Sequence, residues 1–366
     1  MKNIRIRLFL LLVFVWITAV AQKTTFTNHT IAFYNLENLF DTINEAGIKD
    51  DEFTPHGKQH WTPEKYIQKL QHLSTAIRQI GTNAEHQQPP VLVGVAEVEN
   101  RTVLEDLIRQ PELISQNYGI VHFDSPDRRG IDLGLLYQKQ YFKPTSYASI
   151  PVLIYEKAAL RSMPKKEKQF KNKSGTSRDY RIYTRNILLV TGFLEGEEIS
   201  IIINHWPSRY GGVKRSAPYR MAVARQNRKI IDSLQKGNPD ALIINAGDFN
   251  DPPHSENIRN GLKAKSERSQ VEALDLYNPM GALAQKGFGT LAYRDVWEVF
   301  DQIMVSAPFL SPGYESWHFW KAGIYNPSFL TRAEGRYKGY PLRNANGDAG
   351  YSDHFPVYIY LVRLKK

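Results

Sequence analysis

The chain has no cysteine among its 366 residues. Disulfide bonds, thiolate metal sites and a cysteine nucleophile are therefore excluded, and any metal ion must be held by oxygen or imidazole ligands. A lipid-modified export signal is excluded as well, because it needs a cysteine just after the cleavage site. A chain of this length can bury a large core without cross-links, so the lack of cysteine does not conflict with export.

The apolar run near the start of the chain is too short to cross a membrane. It covers residues 8–21, whereas a transmembrane helix needs roughly 20 residues. Three basic residues precede the run and small residues occupy 19–21, which is the pattern of a secretory signal peptide. We expect residues 1–21 to be removed, with a retained anchor as the alternative. Residues 22–366 are then expected to form a single soluble domain in the periplasm or outside the cell, without stable membrane insertion.

Basic residues outnumber acidic ones, with 47 Lys and Arg against 37 Asp and Glu and a formal net charge of +10. Subtracting the three basic residues of the predicted signal peptide from +10 leaves +7 for the mature chain. This excess suits a polyanionic substrate, and ordinary solubility explains it equally well. The segment 157–185 holds ten Lys or Arg residues against two acidic ones. It is interpreted as a solvated loop, with a guide for nucleic acid as the alternative.

Short apolar runs predict buried strands along most of the chain. They lie at 30–34, 91–96, 119–123, 131–137, 186–194, 199–204, 241–245, 301–305 and 356–361. A helix is predicted from Thr62 and Pro63, with Ile67, Leu70, Leu73, Ile77 and Ile80 on its core face, and others at 102–109 and 218–234. Strands dominate, with helices inserted between some of them. This pattern predicts two sheets packed face to face and covered by helices.

Polar clusters adjoin five of the predicted strands, which is the strongest signal in the sequence. They are Asn-Leu-Glu-Asn at 35–38, Glu-Val-Glu-Asn at 97–100, Asn-His-Trp-Pro at 204–207, Gly-Asp-Phe-Asn at 247–250 and Ser-Asp-His-Phe-Pro-Val at 352–357. Chemistry often lies at strand ends. If these strands share one edge of the sandwich, their tips bring carboxylates, carboxamides and imidazoles into one cleft.

The residue types in these clusters suit a metal ion and a phosphate group. Mg²⁺ prefers a few carboxylate oxygens and keeps several waters, and Glu97 fits that role. Asp248 can bind metal or take a proton from water, while Asn250 holds a phosphate oxygen or the nucleophile. Asp353 can bind metal or water, and His354 can face the scissile phosphate. A protonated imidazole and a metal ion are the groups expected to stabilise the charge of the transition state.

The ordered set of clusters resembles the endonuclease/exonuclease/phosphatase superfamily, which includes deoxyribonuclease I, abasic-site endonucleases, neutral sphingomyelinases and inositol polyphosphate phosphatases. The resemblance covers residues 31–360. It implies an α/β fold, a four-layered sandwich of two packed mixed β-sheets flanked by helices, as in deoxyribonuclease I. It also implies Mg²⁺-dependent hydrolysis of phosphate esters, with Mn²⁺ or Ca²⁺ as alternative ions.

The resemblance also assigns roles on the metal side of the site. Asn35 matches an asparagine that orients metal and phosphate, and Glu97 matches the metal-binding glutamate. Ala96 stands where many members have glutamine. Asp353 matches a carboxylate on the metal or water side.

The remaining roles concern water and phosphate. His205 matches a histidine that contacts the phosphate, and Asp248 and Asn250 match the pair that handles the attacking water. Asp301 matches the aspartate that holds the last histidine, His354. The alternatives are a structural histidine at His205, a turn residue at Asn35 and a surface aspartate at Asp301. Arg129 is a candidate phosphate contact, with an ordinary basic turn as the alternative.

Substrate choice does not follow from this set, because the fold and catalytic residues are common to several activities. Export and the basic balance favour a secreted endonuclease acting on DNA or RNA as a monomer. A sphingomyelinase-like phosphodiesterase or a phosphomonoesterase on inositol or sugar phosphates is the alternative, and an inactive polyanion binder is a third. Aromatic residues expected near the cleft are Trp206, Tyr210 and those at 317–320.

Overall fold

A computed structural model describes residues 25–157, 179–345 and 349–365 of the chain. Its strands are β1 (Phe26–Leu39), β2 (Leu92–Val98), β3 (Tyr118–Phe123), β4 (Asp132–Gln138), β5 (Phe142–Ile150), β6 (Ile154–Lys157), β7 (Asp179–Ile182), β8 (Ile187–Leu194), β9 (Glu197–His205), β10 (Leu242–Asp248), β11 (Ala264–Lys265), β12 (Leu276–Tyr277), β13 (Leu291–Tyr293), β14 (Val296–Glu298), β15 (Asp301–Ser306), β16 (His318–Ile324) and β17 (Val357–Leu364). Its α-helices are α1 (Pro63–Gln79), α2 (Arg101–Ile108), α3 (Pro111–Ile114), α4 (Val213–Gly237) and α5 (Met280–Gln285).

Two mixed sheets form the centre of the described part of the chain. The first has the strand order β16-β17-β1-β2-β4-β3, in which β1 pairs parallel with β2 and antiparallel with β17. The second has the order β11-β12-β15-β10-β9-β8-β5, in which β10 pairs parallel with β9 and antiparallel with β15. The strands that end in the predicted polar clusters are therefore central in both sheets.

Alternating side chains of the central strands face two different cores. In β1, Ile31 and Phe33 pack between the two sheets, while Ala32 and Tyr34 pack with residues of α1 and α2. In β10, Ile244 joins the core between the sheets and neighbouring side chains pack against α4. Such strands are buried on both faces, which explains their continuous apolar runs. The four layers are helices, sheet, sheet and helix, so the predicted four-layered sandwich is confirmed.

Helix α1 begins where the sequence predicts. The Thr62 hydroxyl caps the helix by accepting a hydrogen bond from the backbone amide of Lys65, and Pro63 is the first helical residue. The residues predicted to face the core are buried except Ile67, whose exposed fraction is 51%, so that prediction is wrong. The buried face of α1 carries Lys69 instead.

Several strands have no counterpart among the predicted strands, and the longest of them are the edge strands β5 and β16. Most residues of β5 are exposed or half-buried, and it contains Pro144, which an edge strand tolerates. β16 is similarly exposed over its second half. Neither carries the apolar run on which the prediction of a buried strand depends.

Part of the sequence-based interpretation falls outside the described residues. The predicted signal peptide, residues 1–21, lies there entirely. The basic segment 157–185 is described only at its ends, where β6 and β7 pair antiparallel instead of forming loop. Within the described ranges, no helix combines the length and apolar character needed to cross a membrane.

Candidate active site

The first two polar clusters lie at the ends of β1 and β2, where the two strands depart from regular pairing. The strands pair in register as far as Asn35 and Ala96, and the register shifts before the next pair. Glu97 has a φ of 60° and Glu37 a φ of 49°, a left-handed backbone that residues other than glycine rarely adopt. Backbone of this kind is found at functional sites, where the surrounding structure holds it.

Side chains from four strands meet at this edge of the sandwich. The Nδ2 atom of Asn35 lies 3.3 Å from both Oε1 of Glu97 and Oδ2 of Asp248, to which it donates hydrogen bonds. The Nε2 atom of His205 lies 3.7 Å from Oε1 of Glu97 and 3.5 Å from Oδ2 of Asp248. The predicted strand tips thus converge in one cleft, while the catalytic roles of these residues remain predictions.

The segment Gly-Asp-Phe-Asn at the end of β10 is shaped by close approach and by hydrogen bonds. A Cβ atom on Gly247 would lie 2.3 Å from the backbone oxygen of Asn204 in β9, so only glycine fits there. Oδ1 of Asp248 accepts a hydrogen bond from the Asn250 amide at 2.9 Å, and Oδ2 accepts one from Asn250 Nδ2 at 3.2 Å. These bonds hold the carboxylate and the carboxamide side by side.

Burial raises the pKa of Asp248 to about 7. The nearby charge of His354 opposes this shift, while the carboxylates Asp301 and Glu97 add to it. A carboxyl group with a pKa in this range can accept and release a proton near neutral pH. The chemistry therefore fits the predicted role of Asp248 in handling the attacking water.

Asp301 and His354 form a short hydrogen bond, with 2.6 Å between Oδ2 of Asp301 and Nδ1 of His354. Burial opposes the positive charge on His354, but Asp301, Asp353 and Asp248 outweigh it and raise the pKa of His354 well above its usual value. The ring is fixed from the backbone side too, because the His354 amide donates to the Ser352 hydroxyl at 3.0 Å. His354 is therefore a charged imidazole held in one orientation.

His205 differs from His354 in its electrostatics. Burial lowers the pKa of His205 well below its usual value, and the positive charges of Arg185, Arg129 and His354 lower it further. His205 is consequently neutral near pH 7. The protonated imidazole expected from the sequence matches His354, whereas His205 can donate a hydrogen bond only from an uncharged ring.

Two carboxylates, Glu37 and Asp353, lie with two cations near Glu97. Glu37 is buried, and its Oε atoms lie 3.8 Å from Nζ of Lys69 and 3.3 Å from Nε of Arg343. Oδ2 of Asp353 lies 3.9 Å from Nη2 of Arg343. Burial lowers the pKa of Lys69 to about 8, although the negative charges of Glu37, Asp353 and Glu97 act to raise it. The predicted metal ligands Glu97 and Asp353 therefore belong to one acidic cluster.

The donor atoms of the cleft fit a hard divalent cation. Ligand atoms of Asp248, Asp301 and His354 lie within 4.8 Å of one another. Two of these groups, Asp301 and His354, are already joined by the 2.6 Å hydrogen bond, so we do not assign them as metal ligands. The carboxylates of Glu97 and Asp353 provide the oxygen donors that Mg²⁺ prefers.

The predicted phosphate contact Arg129 lies in the loop between β3 and β4. Its Nε and Nη2 atoms donate to Asp127 at 3.3 and 3.2 Å, and its side chain is 54% exposed. Its charge lowers the pKa of His205, which shows that it is near the cleft. Contact with phosphate remains a prediction for this residue.

Two buried cations support the site, and no sequence pattern singled them out. Arg185 donates to the backbone oxygens of His205 at 3.1 Å and Trp206 at 2.6 Å. Lys69 donates to the Tyr351 oxygen at 2.8 Å, in the segment before His354. The position of Lys69 on the apolar face of α1 could have indicated from sequence that this lysine is buried. Nothing in the sequence distinguishes Arg185 from the other basic residues of its segment.

The aromatic residues expected near the cleft are mostly elsewhere. Trp206 and Trp317 are fully buried, so neither can meet a substrate or a membrane, and those expectations are wrong. Trp320 is exposed but belongs to β16, at the edge of the first sheet. Tyr210 follows β9, the strand that ends at His205, and is 93% exposed.

A protein-family model described as the Endonuclease/Exonuclease/phosphatase family matches residues 30–363. No curated protein matches the sequence significantly. The family match covers every residue of the site described above.

Solved structures share the fold at low sequence identity. D. rerio TDP2 complexed with single strand DNA product is 14% identical with a TM-score of 0.52, over 92% of this chain and 99% of that one. An endonuclease/exonuclease/phosphatase family protein from Bacteroides thetaiotaomicron is 17% identical with a TM-score of 0.53, over 93% and 96%. A mannosyl-6-phosphatase from the same organism is 17% identical with a TM-score of 0.50, over 91% and 99%. These likenesses show a common fold.

Proposed function

The chain belongs to the endonuclease/exonuclease/phosphatase family, and on that premise we propose that it is an exported, divalent-metal-dependent phosphodiesterase that cleaves DNA or RNA. Hydrolysis of phosphate esters with a divalent metal is the activity of the family. Nucleic acid as substrate rests on the net charge of +7 that the mature chain keeps from the formal +10, and on the arginines near His205. Export rests on the signal-peptide pattern at 1–21.

The observation that carries the proposal is the meeting of complementary groups in one buried cleft. A charged imidazole, His354, lies near a carboxyl group, Asp248, whose pKa is about 7. Asn35 and Asn250 each donate to that carboxyl group. An acid, a base and hydrogen-bond donors so close together are what hydrolysis by water requires.

Asp248 and Asn250 act on the attacking water. The carboxylate of Asp248 orients the water and accepts its proton, for which a pKa of about 7 is well matched to neutral pH. Asn250 stays beside it because its Nδ2 atom also donates to the Trp206 oxygen at 3.1 Å. The two side chains therefore present one fixed position to the nucleophile.

His354 and His205 act on the phosphate. His354 donates a charge-assisted hydrogen bond to an oxygen on which negative charge develops, while Asp301 keeps the ring charged and oriented. His205 donates from a neutral ring to a second oxygen. Water attacks phosphorus directly, so no covalent enzyme intermediate is needed.

Glu97 and Asp353, with Asn35 nearby, are the residues that would hold the metal ion. A bound Mg²⁺ would stabilise negative charge on a non-bridging phosphate oxygen and on the leaving oxygen. Lys69 and Arg343 keep the surrounding carboxylates in place without filling the coordination sites of Glu97. The acidic cluster is thereby prepared for a cation in the folded protein.

The experiment that tests this proposal compares substrates in parallel at a fixed Mg²⁺ concentration. Purified protein is given supercoiled DNA, RNA, sphingomyelin and small phosphomonoesters, with a chelator control for each. We expect cleavage of nucleic acid that disappears with chelation. Faster turnover of sphingomyelin or of a phosphomonoester would reject nucleic acid as the substrate, and binding without turnover of any substrate would reject an enzyme altogether.

A further inference from the structure

We propose that a groove beside His205 binds the stretch of nucleic acid next to the scissile phosphate, and that it accepts a single strand. This proposal rests on the proposed function, because it names the form of the substrate for the same site. The groove has a volume of about 430 Å³. We call it the arginine groove because its lining includes Arg128, Arg129, Arg181 and Arg185, together with Tyr183 and Tyr210.

The arginine groove adjoins the candidate active-site cleft at Trp206. The backbone oxygen of Trp206 accepts hydrogen bonds from Arg185 in the groove at 2.6 Å and from Asn250 in the cleft at 3.1 Å. Pro207 and Ser208, which follow Trp206 in the chain, line the groove. A strand whose phosphate lies at His205 therefore continues into the groove.

The charge of the groove suits a polyphosphate backbone. One carboxylate, Asp127, accepts hydrogen bonds from both Arg129 and Arg185, at 3.2 and 3.0 Å. Arg128 and Arg181 form no ion pair with any residue of the described ranges. Arg185 is buried, so the positive charge open to phosphates comes from the exposed guanidinium groups of Arg128, Arg129 and Arg181, of which Arg129 is paired with Asp127.

The aromatic residues of the groove indicate a single strand rather than a duplex. Tyr210 is 93% exposed, so its ring presents a free surface to solvent, and Tyr183 is 43% exposed. The guanidinium groups of Arg128 and Arg181 lie 5.2 and 4.8 Å from the centre of the Tyr183 ring. Exposed tyrosine rings among arginines form a platform on which unpaired bases stack. Bases within a duplex are stacked on each other and cannot reach such rings.

The test measures binding of a short fluorescent oligothymidylate by anisotropy, in EDTA so that the strand is not cut. The variants Arg128→Ala/Arg181→Ala and Tyr210→Ala alter exposed side chains, so the fold is retained. We expect Tyr210→Ala to weaken binding about tenfold, as loss of one stacked base does. The double arginine variant should lower the slope of log K against log salt by about 1.4, at about 0.7 per lost phosphate contact.

A matched control removes two exposed charges at the far end of α4, in the variant Lys229→Ala/Lys236→Ala. This variant should bind the oligothymidylate as the wild type does. The wild type should also bind the single strand more tightly than a duplex of the same length.

Three results would overturn the groove proposal. The first is that the groove variants bind the oligothymidylate as tightly as the control variant does. The second is that the wild type binds the duplex as tightly as the single strand, or more tightly. The third comes from a parallel assay with phosphatidylglycerol vesicles, and it is that the groove variants lose binding to the vesicles but not to the oligothymidylate. Cleavage of the same strand with Mg²⁺ is measured separately. If wild-type protein binds the strand through the groove but never cleaves nucleic acid, the proposed function fails while the groove stands.

Discussion

The Nδ1 atom of His354 lies 2.6 Å from the Oδ2 atom of Asp301, and this hydrogen bond joins the two sheets across the catalytic cleft. Asp301 is the first residue of β15 in the second sheet, and His354 lies just before β17 in the first. Both side chains are buried, so water does not weaken the interaction. The relative position of the sheets therefore sets the orientation and charge of the imidazole.

Replacement of His354 by alanine should reduce kcat far more than it changes KM. A positioned imidazolium acting on a developing oxyanion is worth about 2 to 4 kcal/mol, or roughly two to three orders of magnitude in rate. Asp301→Asn should give a milder loss, because the ring loses its charge and orientation but is still present. Steady-state kinetics on a bis-aryl phosphate diester measure both effects.

The double variant Asp301→Asn/His354→Ala tests whether the two residues act as one unit. Since Asp301 works through His354, removing both should cost little more than removing His354 alone. Circular dichroism of each variant establishes that it is folded. If the two losses multiply, Asp301 does not act by orienting His354.

His205→Ala should also lower kcat, but by less than His354→Ala. Charge-assisted hydrogen bonds are roughly twice as strong as neutral ones, and the low pKa of His205 leaves its ring neutral. The two variants are compared under identical conditions on the same diester. A larger loss for His205→Ala would show that the neutral ring carries the main interaction with the phosphate.

Glu97→Gln should shift the Mg²⁺ dependence of activity to higher concentrations. The carboxamide retains the shape of the side chain but removes the negative charge that attracts the cation. Glu99→Gln is the matched control, because Glu99 lies two residues away and accepts a hydrogen bond from the Asp41 amide at 2.6 Å. Activity is titrated with Mg²⁺ for both variants, and the same metal dependence in both would remove Glu97 from the metal site.

Lys69→Met should destabilise the fold by about 3 kcal/mol, since it leaves Glu37 buried without its nearest lysine. Adding Glu37→Gln to that variant should recover part of the loss, because it removes a buried carboxylate whose remaining cationic partner, Arg343, is exposed. Urea unfolding of the two single variants and the double variant gives these free energies. A double variant less stable than Lys69→Met would show that Glu37 does not depend on Lys69.

The parts of the fold that could be predicted from the sequence are those determined by residues close together in the chain. The central strands are apolar on both faces and therefore appear as continuous runs, whereas the exposed edge strands β5 and β16 carry no such run. The helix cap at Thr62 is predictable because its hydroxyl accepts a hydrogen bond from the backbone amide of Lys65, which is close in sequence. Ile67 has helical spacing like its neighbours, but its side chain is 51% exposed, because within the described ranges that part of α1 faces solvent.

The candidate site follows from sequence only as a set of residue types. The polar clusters identify Asn35, Asp248 and His354 without any structural information. The difference between His205 and His354 is not visible there, because it depends on which charges surround each buried ring. Partners distant in sequence, such as the Lys69 amine and the Tyr351 oxygen, are likewise decided by packing.

The most direct measurement of the central claim is hydrolysis of bis(p-nitrophenyl) phosphate by the wild type and by Asp248→Asn, each with Mg²⁺ and with EDTA. Asp248→Asn keeps the shape of the side chain and removes the base that handles the attacking water. We predict that the wild type releases p-nitrophenol with Mg²⁺ and not with EDTA, and that Asp248→Asn loses this activity by two orders of magnitude or more, as removal of a general base does. Turnover by the wild type that persists in EDTA, or turnover by Asp248→Asn equal to that of the wild type, would contradict metal-dependent hydrolysis at this site.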